Sequence, residues 1–251
     1  KPHLAPGIRI VSGTKGIEND SLKRVSEITT DVLGEGLGQF AVLSGPTFAQ
    51  EVAAGAPTAA VVASRNLEFA GEMQAALSHS RFRLYRSEDV VGLEISGSLK
   101  NVIAIAAGVV DEIGLGYNTM AALITRGLHE IRKLGVALGG MPDTFAGLAG
   151  LGDLVLTCTG SLSRNRRVGT ELGKGNDLAA ILEATPFVAE GVRTCLSVKE
   201  LAERHGIVMP INSEMYRLLY EKENPADAIT RLMTRTLKAE IEPAQARTGI
   251  E

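Results

Sequence analysis

The spacing of apolar residues changes character near Glu94, and few folds accommodate such a change. Before it, short apolar runs alternate with stretches of helical period. Ile8-Arg9-Ile10-Val11 reads as a strand leading through Ser12-Gly13-Thr14-Lys15-Gly16 into a helix over 21–33, and 40–43, 58–63 and 82–85 read as further strands. A helix over 67–77 carries Phe69, Met73 and Leu77 on one stripe, and Thr47-Phe48-Ala49-Gln50 has the spacing of a capping box that would start another helix toward Ala54. Such alternation implies βαβ units and a mainly parallel sheet. Beyond Glu94 nearly every segment has helical spacing. The stretch 98–113 is apolar almost all round, which marks a helix buried at a domain centre, and further helices are expected over 120–134, 166–172, 178–184, 190–204, 212–220 and 225–238, with a frayed tail at 243–251. No repeat and no linker-like run separates the halves, so they should pack together.

Composition narrows the function. The 251 residues are 45% hydrophobic and 22% charged, which excludes a disordered chain. Lys+Arg 26 against Asp+Glu 29 leaves −3, so there is no global field for a nucleic acid, and any anion site must be local. The longest apolar run, near 102–110, falls short of the roughly 20 residues of a membrane span, and the first residues lack the apolar stretch of a signal peptide. Cys158 and Cys195 have neither CxxC spacing nor a neighbouring His, which disfavours zinc and dithiol chemistry and makes a reducing, cytoplasmic compartment the default. His129-Glu130 is followed by Lys133 where a zinc-binding HExxH needs its second His, so no metal is expected, and no Gly-x-Ser-x-Gly elbow is present.

Three groups of residues could carry chemistry. Lys100 opens the run Asn101-Val102-Ile103-Ala104-Ile105-Ala106-Ala107. Burial there would disfavour its ammonium and bring it into proton exchange with a substrate hydroxyl, Asn101 adding a neutral hydrogen bond; alternatively its stem snorkels from the helix end to water. Gly147-Leu148-Ala149-Gly150-Leu151-Gly152-Asp153 delivers a lone carboxylate from a glycine-dense turn, suited to orienting a cation such as Lys100, or simply to capping the next helix. Ser161-Leu162-Ser163-Arg164-Asn165-Arg166-Arg167 sets arginine forks at a probable helix start, which suits a phosphate better than a plain solvated face does. Neither Gly34-Glu35-Gly36-Leu37-Gly38 nor Gly150-Leu151-Gly152 follows a strand and opens a helix with the spacing of a dinucleotide loop, so that fingerprint is absent from these residues.

Taken in order, Thr14-Lys15-Gly16, Ser44-Gly45-Pro46-Thr47-Phe48-Ala49, Leu99-Lys100-Asn101-Val102, Gly150-Leu151-Gly152-Asp153-Leu154 and Ser163-Arg164-Asn165-Arg166-Arg167 resemble the bacterial NAD(P)-dependent glycerol-3-phosphate dehydrogenases across roughly 8–238. The resemblance implies an α/β fold: part of a Rossmann-type parallel sheet over 1–93, followed by an all-α substrate-binding and catalytic domain over 94–251. Members begin with a G-x-G-x-x-G/A half that is missing here, so the chain is expected to be N-terminally truncated and impaired when isolated. The family's reaction interconverts glycerol 3-phosphate and dihydroxyacetone phosphate, supplying phospholipid synthesis, with NAD or NADP as cofactor. By the same resemblance Lys100 is the proton donor and acceptor and Asp153 its support. Lys15, Gly45, Thr47, Ser163, Arg164 and Asn165 join them around the phosphate-bearing substrate, and Lys15, Ala49, Arg164, Val188 and Glu190 meet the cofactor. A homodimer without a membrane span is implied. A 6-phosphogluconate or 3-hydroxyacid dehydrogenase shares the layout and the Lys/Asn pair, though the Ser-Arg-Asn-Arg-Arg run argues against it; a non-catalytic phosphate-binding or dimerisation fragment is the reading outside enzymes.

Overall fold

The first ninety or so residues build one sheet in a computed structural model that describes residues 4–5, 7–34, 37–184 and 189–240. Strands β1 (Ile8–Ser12), β2 (Leu37–Ser44), β3 (Thr58–Ala63) and β4 (Phe82–Ser87) lie side by side in chain order. They are joined by helices α1 (Val25–Leu33), α2 (Ala49–Ala53) and α3 (Leu67–Leu77). Alternate residues face opposite sides, as a strand requires. Ala41, Ala60, Val62 and Leu84 gather with Phe69 of α3 on one face, and Val42 and Ala63 meet Val90, Leu93 and Ala149 on the other. Both faces of the two central strands are therefore covered, which is why 40–43 and 59–63 are apolar throughout.

The sheet is parallel between β1 and β2 and between β3 and β4, but β3 runs antiparallel to β2, with Val42 opposite Ala63. That reversal departs from the mainly parallel expectation at one of its joins. The connection between β2 and β3, 45–57, holds only the five-residue α2 in place of a full crossover helix, and β3 sets out from the end of the sheet at which β2 finishes. The capping box expected at Thr47 and Gln50 is not formed either: α2 starts after Phe48 without a side-chain cap, and the Thr47 hydroxyl donates to the Gly45 carbonyl at 3.2 Å.

The sheet passes into the helical half through α4 (Val90–Glu112), which begins eight residues before the expected start. Asp89 explains this, because its carboxylate accepts the Gly92 amide at 2.7 Å and the Met141 amide at 2.8 Å, capping the helix in the manner of an N-terminal aspartate. The expected boundary at 93/94 thus falls inside the first turn of a continuous helix. Apart from Val91, every residue from Val90 to Val110 is buried. By length and composition α4 could cross a membrane, yet it is the core helix of this half. Around it pack α5 (Gly116–Ala137), a 3₁₀ turn (Pro142–Ala146), a wide π-helical turn (Leu148–Gly152), α6 (Asp153–Thr159), α7 (Arg164–Gly173), α9 (Glu190–Arg204) and α10 (Pro210–Tyr220), with α8 (Leu178–Ala184) outside on α7 and α11 (Pro225–Met233) on α10. The ends of α8 and α9 are those expected, whereas α11 stops short of Lys238; the tail beyond 240 lies outside the described residues. α4 and α7 cross with their backbones touching, since a Cβ on Gly169 would collide with the Ile105 carbonyl and one on Gly108 with that of Arg166. Glycine is the residue that permits this approach.

Candidate active site

Lys100 stands at the eleventh residue of α4, in the middle of the helix and only 6% exposed, so the snorkelling alternative fails. Its ammonium donates to Asp153 Oδ1 and, at 3.0 Å, to Thr157 Oγ1. The other carboxylate oxygen, Asp153 Oδ2, accepts from Lys15 Nζ at 2.6 Å. One buried carboxylate thus holds two lysines that lie 85 residues apart in the chain. Asp153 is the first residue of α6, but both its oxygens face lysines, and the helix-cap reading fails with the snorkelling one. The wide turn 148–152 swings it inward; a Cβ at Gly150 would strike the Phe145 backbone.

Burial lowers the Lys100 ammonium from 10.5 to about 7, the Lys15 charge pushing the same way and Asp153 opposing both. A lysine poised there can both give and take a proton near neutrality. The side chain of Lys15 is 24% exposed, against 8% for Lys100 and 2% for Asp153, so Lys15 stands toward the entrance. Cys158, also on α6, is buried and has its thiol pushed up to about 12 by burial, which removes it as a nucleophile at ordinary pH.

Lys15 follows the carboxyl end of β1, and Gly45 and Thr47 follow that of β2. Because β1 and β2 are parallel, these residues emerge at the same edge of the sheet, where open α/β sheets bind their ligands. Gly45 is confined there twice over, by its φ of +148° and by the Ala60 Cα 2.9 Å from where a Cβ would sit. Beyond it the Pro46 ring lies against Gly152 and the Phe48 ring against Gly160, pressing the loop onto α6. Ala49 opens α2 and is exposed.

The side chains of the arginine-rich segment have separate partners. Ser163 is the N-cap of α7, its Oγ accepting the Arg166 amide at 3.2 Å. Arg164 pairs with Glu190 Oε1 at 2.9 Å, half in solvent, while Arg166 turns away to Asp111. Asn165 is buried and its Oδ1 accepts the Gly191 amide at 2.9 Å. Gly191 in turn sits over the Asn101 carbonyl, 2.6 Å from where its Cβ would lie, so Asn165 is joined through α9 to the residue beside Lys100. Lys15, Lys100 and Asp153 are in direct contact, and Arg164, Asn165 and Glu190 form a second group next to them. Val188 lies outside the described residues. Thr157 went unmarked in the sequence, although its i,i+4 spacing from Asp153 places both on one helix face once α6 is known to begin at Asp153.

Comparison with known proteins gives a consistent result. Residues 89–230 match the family model for the C-terminus of NAD-dependent glycerol-3-phosphate dehydrogenase, and residues 1–70 match that for its N-terminus. The chain is 54% identical over 243 residues to the glycerol-3-phosphate dehydrogenase [NAD(P)+] of Syntrophotalea carbinolica, covering 96% of this chain and 73% of that protein. It is 54% identical over 240 residues to the enzyme of that name from Geobacter metallireducens, covering 95% and 72%. Among solved structures, glycerol-3-phosphate dehydrogenase from Coxiella burnetii superposes with a TM-score of 0.88 at 43% identity, over 93% of this chain and 71% of that one.

Proposed function

The chain belongs to the NAD-dependent glycerol-3-phosphate dehydrogenase family, and from that membership we propose how its residues divide the work. It is an NAD(P)-dependent oxidoreductase that interconverts glycerol 3-phosphate and dihydroxyacetone phosphate by hydride transfer. The observation that carries the residue assignment is the buried Lys100 ammonium held by Asp153 and Thr157 beside a second lysine.

The residues here suit the reacting end of a nicotinamide cofactor. Lys15 and the Gly45–Thr47 turn stand together at the carboxyl edge of two parallel strands, and Arg164 offers a fork whose exposed partner, Glu190, is readily exchanged for a ligand. Lys15, Ala49, Arg164, Val188 and Glu190 are the contacts we assign to it. When bound, the nicotinamide ring supplies or accepts the hydride at C2 of the substrate.

Lys100 handles the proton. In reduction its ammonium donates to the carbonyl oxygen, so that negative charge never accumulates there; in oxidation its neutral amine takes the hydroxyl proton. Asp153 fixes the direction of the Nζ and offsets part of the cost of burying its charge. Lys15 and the Gly45–Thr47 turn bind the substrate's three-carbon end, and Ser163, Arg164 and Asn165 form its phosphate side, with Arg164 leaving Glu190 for the phosphate. We assign residues 1–93 to the dinucleotide-binding part and 94–251 to the substrate-binding part, and place the enzyme in the cytoplasm as a homodimer; light scattering that gives a monomer mass overturns the dimer.

Calorimetric titration with glycerol 3-phosphate, NADH and NADPH tests the site. Heat with glycerol 3-phosphate that disappears in Arg164→Ala supports the phosphate assignment. Equal affinity in the two proteins overturns it.

A further inference from the structure

Resting on the reading of Lys15 as a substrate contact, we propose that Ser98 is a positioning residue that sets Lys15 against Asp153. Ser98 lies on α4 two residues before Lys100 and is 1% exposed. Its hydroxyl donates to the Glu94 carbonyl one turn back at 2.7 Å, which aims its free lone pair outward from the helix. That lone pair accepts the Gly16 amide at 2.9 Å, 82 residues away in sequence.

The consequence falls on Lys15. Gly16 is bent at a φ of +141°, so the bond fixes the chain at the corner immediately after Lys15. From that corner the lysine stem passes over Gly97, whose absent Cβ would stand 3.5 Å from Cγ and Cδ, and reaches Asp153 Oδ2 at 2.6 Å. The far side of the loop is held separately, with Ile17 in the core and its carbonyl 3.2 Å from the Ser197 hydroxyl of α9. Ser98 therefore bonds nothing that reacts, yet one helix presents Lys100 through its side chain and Lys15 through this hook. None of the four described strands supplies an equivalent restraint at Gly16, because β1 ends at Ser12.

Ser98→Ala, Lys15→Met and the double variant, made in the full enzyme, test this. Losing one hydrogen bond has an equilibrium weight of roughly 2- to 12-fold. Ser98→Ala is expected to raise KM for glycerol 3-phosphate by about that factor, and to raise the apparent pKa at which Lys100 controls the rate as the Lys15 charge moves off. Among the described residues the charged groups acting on Lys100 are Lys15 and Asp153, with the neutral Cys158 thiol, itself under the Arg166 charge, nearby. In the Lys15→Met background the same substitution should change neither, because the lysine it positions is gone. Additive effects, or a lowered melting temperature with an unmoved KM and pH profile, overturn the proposal. If Lys15→Met itself leaves KM unchanged, the assignment of Lys15 fails instead. Hydrogen exchange in the unaltered protein gives a reading independent of any variant: the Gly16 amide should be protected, and exchange at the rate of an open loop would refute the hook.

Discussion

Replacing Lys100 by methionine removes the ammonium and keeps most of the apolar stem, so the helix around it has no reason to repack. Asp153 retains Lys15 at 2.6 Å and is not left as an uncompensated buried charge. What disappears is the proton donor and acceptor, worth about 10²–10⁴ in turnover, or about 3–5 kcal/mol of barrier. The pH dependence adds a sign. With Lys100 lowered to about 7, reduction of dihydroxyacetone phosphate, which needs the ammonium, should slow as pH rises through that value, and oxidation of glycerol 3-phosphate, which needs the amine, should speed up. Stability is linked to the same group. Between about 7 and 10.5 the unfolded chain binds the proton more tightly than the folded one, so the wild type gains stability as pH climbs through that window and the variant does not. Initial rates of nicotinamide absorbance change in both directions from pH 6 to 9, with urea unfolding across the same range, measure all of this. A variant that keeps wild-type turnover, or that loses turnover but keeps both pH limbs, would show that another group moves the proton.

Three further outcomes are expected. Arg164→Ala should raise KM for the phosphate-bearing substrate with little change in kcat, and steady-state kinetics that show the reverse would place Arg164 in the chemical step. Glu130, buried and receiving the Ile211 and Asn212 amides at 2.7 and 3.2 Å, is raised from 4.5 to about 7 by burial. The folded chain therefore keeps this proton longer, and stability should fall by about 3 kcal/mol as pH rises from about 4.5 to about 7; Glu130→Gln should lose that slope, as followed by urea unfolding. Gly169→Ala forces a methyl into the Ile105 carbonyl and should cost about 1–3 kcal/mol or more on chemical denaturation, whereas an unchanged midpoint would mean that α4 and α7 are not in backbone contact.

Much of this architecture was legible in the sequence because it is local. The ends of α9, Glu190 and Arg204, carry charges matched to a helix dipole, and the apolar run after Lys100 could only be a core helix. The start of α4 was hidden because Glu94 interrupts the apolar pattern. The structure removes that cost with Arg24 and Ser26, whose side chains reach Glu94 at 2.8 and 2.6 Å from far up the chain. The reversal of β3 was hidden too, since a thirteen-residue connection with one short helix fits either strand direction and the pairing of Val42 with Ala63 is set by the fold. At the site, residue types pointed to Lys100, Asp153 and Arg164, but only the fold shows that Asp153 serves two lysines, that Ser163 is occupied as a cap, and that Arg164 and Arg166 turn to different carboxylates.

The early start of α4 also limits how the molecule can move. An enzyme that shields a hydride from water usually closes two parts around its ligands, and the natural place for a hinge is the junction between them. Here that junction is an unbroken, buried helix whose first turn carries Val90 and Leu93 against the sheet while later turns carry Lys100. Rotation about it would have to break helical hydrogen bonds with no proline to ease the bend. The corner after Lys15 is hooked to the same helix through Ser98, so the two lysines keep their spacing whatever else moves. On this account one rigid helix carries both lysines, and the substrate comes to them.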